Sequence, residues 1–173
     1  METAPKSLRP HLGFFGRRNV GKSSLLNMLV GQKVAIVSPT AGTTTDPVEK
    51  TLEFAPFGPV LFIDTAGVDD VGSLGRMRAE RTREVLARVD VALLVAAPDG
   101  WGDFEEDLLR EFKERHLPVL VVFNKADCAR PAESLLTSLA ERGTKTVTVS
   151  ARTGEGIAEW ADWLRGQIDA WIK

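Results

Sequence analysis

Apolar and polar positions along this chain follow two rhythms. Short runs that are apolar nearly throughout, such as Val91-Ala92-Leu93-Leu94-Val95 and Leu117-Pro118-Val119-Leu120-Val121-Val122-Phe123, alternate with longer segments whose apolar residues recur at helical spacing. A strand that is apolar on both faces belongs to a parallel sheet covered by helices on both sides. The pattern predicts strands at Leu12–Phe15, Val48–Phe54, Val60–Ile63, Val91–Ala96, Val119–Phe123 and Thr146–Val149. It predicts helices at Lys22–Val30, within Arg76–Arg88, and at Phe104–Arg115, Ala132–Arg142 and Gly156–Trp171. Val48–Phe54 alternates instead, which suits an edge strand antiparallel to Val60–Ile63 across a Pro56-Phe57-Gly58-Pro59 turn. The expected fold is one doubly wound α/β domain: a six-stranded, mostly parallel sheet with one antiparallel edge strand and helices on both faces.

Two segments stand outside these rhythms. Residues 1–10, with two prolines and mixed charge, read as a flexible lead-in to a single domain at 11–173. Gly31–Pro47 has no period and holds Ser38-Pro39-Thr40-Ala41-Gly42-Thr43-Thr44-Thr45-Asp46; a loop this long in a compact domain points to function. On the last helix Ile157, Trp160, Ala161, Leu164, Ile168 and Trp171 form the expected core stripe. Trp163 falls outside that stripe, either singly exposed or in contact with another domain or protomer, and Trp101 reads as a loop aromatic with no assigned role.

Composition narrows the picture mainly by exclusion. The 173 residues carry 22 basic and 24 acidic side chains, a net charge of −2, so no large basic surface for nucleic acid is expected. No apolar run reaches bilayer-spanning length and the N-terminus lacks a signal-peptide core, so the expectation is a cytoplasmic protein with no membrane partner. Cys128 is the single cysteine, which excludes an internal disulfide and a cysteine-built metal or iron–sulfur site within these residues. His11 and His116 are far apart in sequence and read as surface or strand-end residues.

The chemistry concentrates at strand ends. Gly16-Arg17-Arg18-Asn19-Val20-Gly21-Lys22-Ser23 fits the G-x-x-x-x-G-K-[ST] phosphate loop, between the strand Leu12–Phe15 and a helix. Such a turn aims backbone N–H groups, here along Arg18, Asn19, Val20, Gly21, Lys22, Ser23 and Ser24, and the positive end of a helix at a polyphosphate. Lys22 would reach the β- and γ-phosphates, and the Ser23 hydroxyl would ligate magnesium. Asp64-Thr65-Ala66-Gly67 follows Val60–Ile63, with Asp64 placed to hold magnesium through water and the Gly67 amide free to approach the γ-phosphate. Asn124-Lys125-Ala126-Asp127 follows the strand ending at Phe123. The Asp127 carboxylate accepts two N–H donors together, which guanine offers at N1 and N2 and adenine does not. Asn124 would tie this loop to the phosphate loop, and the Lys125 stem would lie along the base plane. Ser150-Ala151-Arg152 would supply a backbone N–H to guanine O6.

Taken in order, these four motifs resemble those of the GTPase superfamily, from residue 12 to near the end of the chain. The resemblance implies a P-loop NTPase fold of the Ras-like type, GTP and GDP as ligands, magnesium as cofactor and slow GTP hydrolysis. It also implies switch segments at Gln32–Pro47 and Ala66–Met77, with Thr44 as the magnesium ligand and Thr43 and Thr45 as close competitors. Asn19, the tract Ala41–Asp46 and Asp64-Thr65-Ala66-Gly67-Val68 look like the TrmE–Era–Der branch. Val68 stands where Ras-like proteins carry a water-positioning glutamine, and it cannot hydrogen-bond water. The branch implies a potassium ion instead, held by the Asn19 side chain and by backbone carbonyls near Ser38 and Thr40. A glutamate used by the tRNA-modifying relatives is missing from Val68–Gly75, leaving Asp69 or Asp70 as candidates to orient the water.

Within that branch, Gly16-Arg17-Arg18-Asn19, Ala35-Ile36-Val37-Ser38, Gly42-Thr43-Thr44-Thr45-Asp46-Pro47-Val48 and Pro56-Phe57-Gly58-Pro59-Val60 are similar to the GTPase domain of the HydF family, maturation factors of iron–iron hydrogenase. Thr45 carries weight, because the tRNA-modifying branch usually has arginine there. The resemblance implies, in the parent protein, a dimerisation domain, an iron–sulfur domain, and other maturases and the hydrogenase as partners; this chain is expected to lack both extra domains and to hold no iron–sulfur cluster. The alternatives are the GTPase domain of a tRNA-modification protein and a nucleotide-gated binding module for ribosome assembly. If Asp127 selects the base, ATP added in excess leaves bound GTP in place. Competition by ATP as effective as by GTP contradicts that selection.

Overall fold

The computed structural model describes residues 9–17, 20–32, 35–37, 49–64 and 84–173. Among these, the elements in chain order are β1 (His11–Phe15), α1 (Lys22–Gly31), β2 (Ile36–Val37), β3 (Glu49–Phe54), β4 (Gly58–Asp64), β5 (Val91–Ala96), α2 (Asp103–Glu114), β6 (Val119–Phe123), α3 (Glu133–Glu141), β7 (Lys145–Thr148) and α4 (Ile157–Ile172). Residues 84–86 form a helical turn at the end of the expected Arg76–Arg88 helix, and residues 76–83 lie outside the described residues.

The sheet runs β2-β3-β4-β1-β5-β6-β7, with β4, β1, β5, β6 and β7 parallel and β3 antiparallel to both neighbours. β5 is buried along its whole length, as its unbroken apolar run requires. Its side chains alternate between two cores: Val91, Leu93 and Val95 face one side, and Ala92, Leu94 and Ala96 the other. On the first face α1 and α4 pack through Leu25, Leu29, Trp160 and Leu164. Phe14 stands at the middle of that core, with its ring 5.6 Å from Phe62 and 5.9 Å, edge-on, from Trp160. On the second face α2 and α3 contribute Leu108, Leu109, Phe112 and Leu139, and Phe112 lies 5.0 Å from Phe15.

Three local readings are corrected. Ile36–Val37 adds a seventh strand, so β3 is interior and the outer edge is two residues long. The hairpin turn occupies residues 55–57, around a cis Ala55–Pro56 bond, while Gly58 and Pro59 already pair in β4 with Phe54 and Glu53. On α4, Trp171 is 37% exposed because the last turn leaves the core, whereas Trp163 packs against the core from its margin. Helical spacing identifies a stripe but not where the sheet beneath it stops. The expected lead-in falls largely outside the described residues, which begin at Arg9.

The alternation in β3 also concealed a charge. Glu49, the first residue of β3, is a buried carboxylate paired with Arg88 just beyond the 84–86 turn. Elsewhere among the described residues one hydroxyl is orphaned: Thr144 is 3% exposed and its Oγ1 has no hydrogen-bond partner there. A buried polar group without a partner keeps its desolvation cost. Thr144→Val is expected to leave unfolding free energy in urea unchanged or raised by about 1 kcal/mol, whereas Phe112→Ala lowers it by about 3–5 kcal/mol. A large loss for Thr144→Val would mean that the hydroxyl is paired after all.

Candidate nucleotide site

Each motif emerges where a strand delivers it. β1 ends at Phe15 just before Gly16, β4 ends on Asp64, β6 ends at Phe123 just before Asn124, and β7 ends two residues before Ser150. The register aligns these ends along one rim: Phe14 pairs with Asp64 and Leu93, Ala96 with Phe123, and Phe123 with Thr148. β1 lies between β4 and β5, so the chain crosses to opposite sides of β1 and leaves a crevice at its carboxyl end.

The phosphate half is built on Gly21 and Lys22. Gly21 caps α1 with a left-handed φ of 92°, and a Cβ there would collide with Nδ2 of Asn124. Only glycine satisfies both conditions. Lys22 is 7% exposed; its Nζ donates to the Gly16 carbonyl at 2.6 Å and lies 4.0 Å from Oδ1 of Asp64. The first turn of α1 carries no acidic residue, which leaves the positive helix end for an anion. Ser23 and Ser24 are exposed at that same end.

Asn124 makes the two halves one object. It is 2% exposed, donates from Nδ2 to the Val20 carbonyl at 2.9 Å, and accepts the Ala151 N–H on Oδ1 at 3.1 Å. One amide therefore joins the phosphate loop, the end of β6 and the segment after β7. Its own N–H donates to Ala96 at the end of β5. Lys125 follows in the left-handed region at φ 65°, a conformation uncommon for a lysine and concentrated at functional turns.

The Asp127 carboxylate is held from behind. Ser150, fully buried, donates from Oγ to Oδ1 of Asp127 at 2.8 Å. The same Oγ accepts the N–H groups of Arg152 and Thr153 at 3.2 and 3.1 Å, which directs its one proton to Asp127. The Ser150 hydroxyl bond holds the Asp127 carboxyl below its ordinary pKa, against the opposing effect of desolvation, with the Arg152 guanidinium 3.9 Å away as a lesser contributor. Gly21, Ser24, Asn124, Lys125, Asp127 and Ala151 line a cleft of about 400 Å³ at this place.

The described residues thus bring together Val20, Gly21, Lys22, Ser23, Ser24, Asp64, Asn124, Lys125, Asp127, Ser150, Ala151 and Arg152. Arg18, Asn19, Ser38, Thr40, Thr43, Thr44, Thr45, Gly67, Asp69 and Asp70 lie outside the described residues. Sequence reasoning missed the Ser150 side chain, having valued this segment only for its backbone. It also missed Arg17, which pairs with Glu105 of α2. Neither link has a signal in spacing, because each crosses between distant segments.

A phosphate loop, a strand-end carboxylate beside its lysine, and a buttressed aspartate over a base-sized cleft define a P-loop GTPase domain. The family described as 50S ribosome-binding GTPase matches residues 11–125. The tRNA modification GTPase MnmE of Bordetella avium is 37% identical over 174 residues, covering 94% of this chain and 36% of MnmE. GTPase Der of Wolinella succinogenes is 37% identical over 180 residues, covering 97% of this chain and 36% of Der. The crystal structure of Era from Aquifex aeolicus, bound to GDP and AlF4−, superposes with a TM-score of 0.66 at 30% identity, covering 91% of this chain and 56% of that one. The chain belongs to this GTPase family, as a GTP-binding domain of the MnmE, Era and Der type that spans about a third of the length of MnmE and Der. Among the described residues no helix is long and apolar enough to cross a membrane.

Two measurements test the geometry. Asn124→Ala removes two buried bonds that hold three segments, so GDP affinity is expected to fall at least about a hundredfold, with about 2–4 kcal/mol lost from stability; an affinity within threefold of the parent refutes the bridge. A carboxyl with a lowered pKa stays ionised as pH falls through the ordinary aspartate range, and its contribution is lost only below that. In an NMR titration the Asp127 midpoint is expected below the ordinary value of about 3.9, and Ser150→Ala is expected to raise it. An unchanged midpoint in Ser150→Ala contradicts the buttress.

Proposed function

We propose that this domain is a GTP-driven, potassium-stimulated molecular switch of a cytoplasmic maturase for the iron–iron hydrogenase cluster. The observation that carries the nucleotide reading is the Asn124 bridge, which fixes the spacing between a triphosphate cradle and a guanine-selecting carboxylate. In this reading GTP enters with its phosphates over the α1 N-terminus and its base against Asp127. Lys22 leaves the Gly16 carbonyl for the β- and γ-phosphates. Ser23 and Asp64 present oxygen donors suited to a hard divalent cation, and Asp64 lies beside Lys22 at 4.0 Å. Ser23, Asp64 and Thr44 would hold magnesium, which would supply neutralisation of the phosphate charge that develops during hydrolysis. Arg18, Asn19, Val20, Gly21, Ser24, Lys125, Ser150, Ala151 and Arg152 complete the nucleotide cradle, and Gly67 contacts the γ-phosphate. Asp69 or Asp70 orients the water.

Asn19, with backbone carbonyls near Ser38 and Thr40, would supply oxygen donors of the kind a potassium ion takes. A cation held there would substitute for an arginine finger, a role worth roughly 10³–10⁵ in rate. The maturase assignment rests on Thr45, Pro47-Val48 and Gly58-Pro59 in the sequence. Partners would then be the parent protein's dimerisation and iron–sulfur domains, other maturases and the hydrogenase.

A second reading, the GTPase domain of a tRNA-modification protein, is favoured by the 37% identity to MnmE and opposed by Thr45 and by the missing glutamate in Val68–Gly75. Deleting the gene in its host separates the two: lost hydrogenase activity with normal tRNA modification supports the maturase, and the reverse overturns it. For the ion, GTP hydrolysis is expected to run at least tenfold faster in potassium than in sodium at equal ionic strength. Equal rates would eliminate the bound potassium, and full potassium stimulation in both Asp69→Ala and Asp70→Ala would clear those residues of water positioning.

A further inference from the structure

Arg17 occupies an unconstrained position of the phosphate-loop motif, yet it is one of the most heavily bonded arginines among the described residues. Its Nε donates to Oε2 of Glu105 at 2.8 Å and its Nη2 to Oε1 at 3.1 Å, a bidentate pair. The guanidinium also lies over the Phe104 ring, 5.1 Å from its centre. Glu105 is completely buried, and its Oε1 accepts the Gly102 N–H at 2.8 Å, which anchors the start of α2. Gly102 gives the guanidinium room, since a Cβ there would come within 3.3 Å of Nη2. The Glu105 bond holds the Arg17 pKa above its ordinary value, consistent with a cation fixed in one place.

The loop residue Gly16 is the other half of the argument. Its carbonyl receives Lys22, so the path of the chain at 16–17 sets where the phosphate-binding lysine rests. A flexible loop held at one end only by β1 would sample many such paths. We infer that Arg17 is a positioning residue: its bidentate pair with Glu105 clamps the first half of the phosphate loop to α2 and preorganises it for the nucleotide. The guanidinium is committed to α2 and does not act as an arginine finger. This inference rests on the guanine-nucleotide site alone and not on the maturase reading.

GDP and GTP affinities, saturated turnover and melting temperature of the apo protein distinguish the roles in Arg17→Met, Glu105→Gln and the double variant. Glu105→Gln keeps an acceptor for the Gly102 N–H and so preserves the helix start. Each single variant is expected to weaken GDP and GTP alike by about tenfold with saturated kcat within about twofold, and the double variant to be no weaker than the weaker single. Gly102→Ala, which leaves both charges in place but crowds the guanidinium, is expected to weaken both nucleotides in the same direction. A lower kcat with unchanged GDP affinity in Arg17→Met alone would make Arg17 a phosphate ligand and overturn the proposal. Multiplicative effects in the double variant, or a lower melting temperature with unchanged affinity of the folded protein, overturn it equally. Wild-type GDP binding in the same titration separates this failure from failure of the nucleotide site itself.

Discussion

One buried amide holds this site together. Asn124 sits at the end of β6, gives its N–H2 to the phosphate loop and takes an N–H from the segment after β7, so three loops that are far apart in sequence share one side chain. Buried polar atoms demand partners, and here both ends of the amide are satisfied by backbone. The bonds are therefore geometric as well as energetic: neither loop can drift without leaving the other, or Asn124, unpaired. The glycine at position 21 follows from the same contact, since the amide occupies the space a Cβ would need. The sheet beneath supplies rigidity, with β5 and β6 wholly or mainly buried between two helical layers.

Around that bridge the charged groups form a graded set. Lys22 is buried and rests on the Gly16 carbonyl beside Asp64. Asp127 is held low in pKa chiefly by the Ser150 hydroxyl on Oδ1, with the Cys128 thiol and the Arg152 guanidinium on Oδ2 as lesser partners. Arg17 and Glu105 neutralise each other at the loop's far side. Positive and negative groups are thus spent on shaping the loops, while the helix N-terminus and Lys22 face the place where a polyphosphate fits.

Much of this was legible before any coordinate. The apolar runs named the interior strands, and the four motifs named the loops, because strand burial and phosphate binding both leave local marks in sequence. The role assigned to Asn124, tying one loop to the other, follows from motif order and agrees with the bond to Val20. What was not legible depends on distance in space. Ile36–Val37 is too short to show a period, and its strand identity comes from pairing with β3. Trp171 has the right spacing for the core, yet the core ends before it. The Ser150 hydroxyl, the Glu49–Arg88 pair and the Arg17–Glu105 pair join residues 23, 39 and 88 positions apart, and single-sequence periodicity carries no information at such separations.

The central claim is that base and phosphate halves respond as one site. Hydrogen exchange with guanosine, which has a base but no phosphate, addresses it directly. Saturating guanosine is expected to slow exchange of amides in 124–127 and 150–153, and also of the Val20 and Lys22 amides, whose residues do not line the cleft it fills; in Asn124→Ala the second effect is expected to disappear. Protection confined to 124–127 and 150–153 in the unaltered protein would contradict the coupling and leave the two halves as independent neighbours.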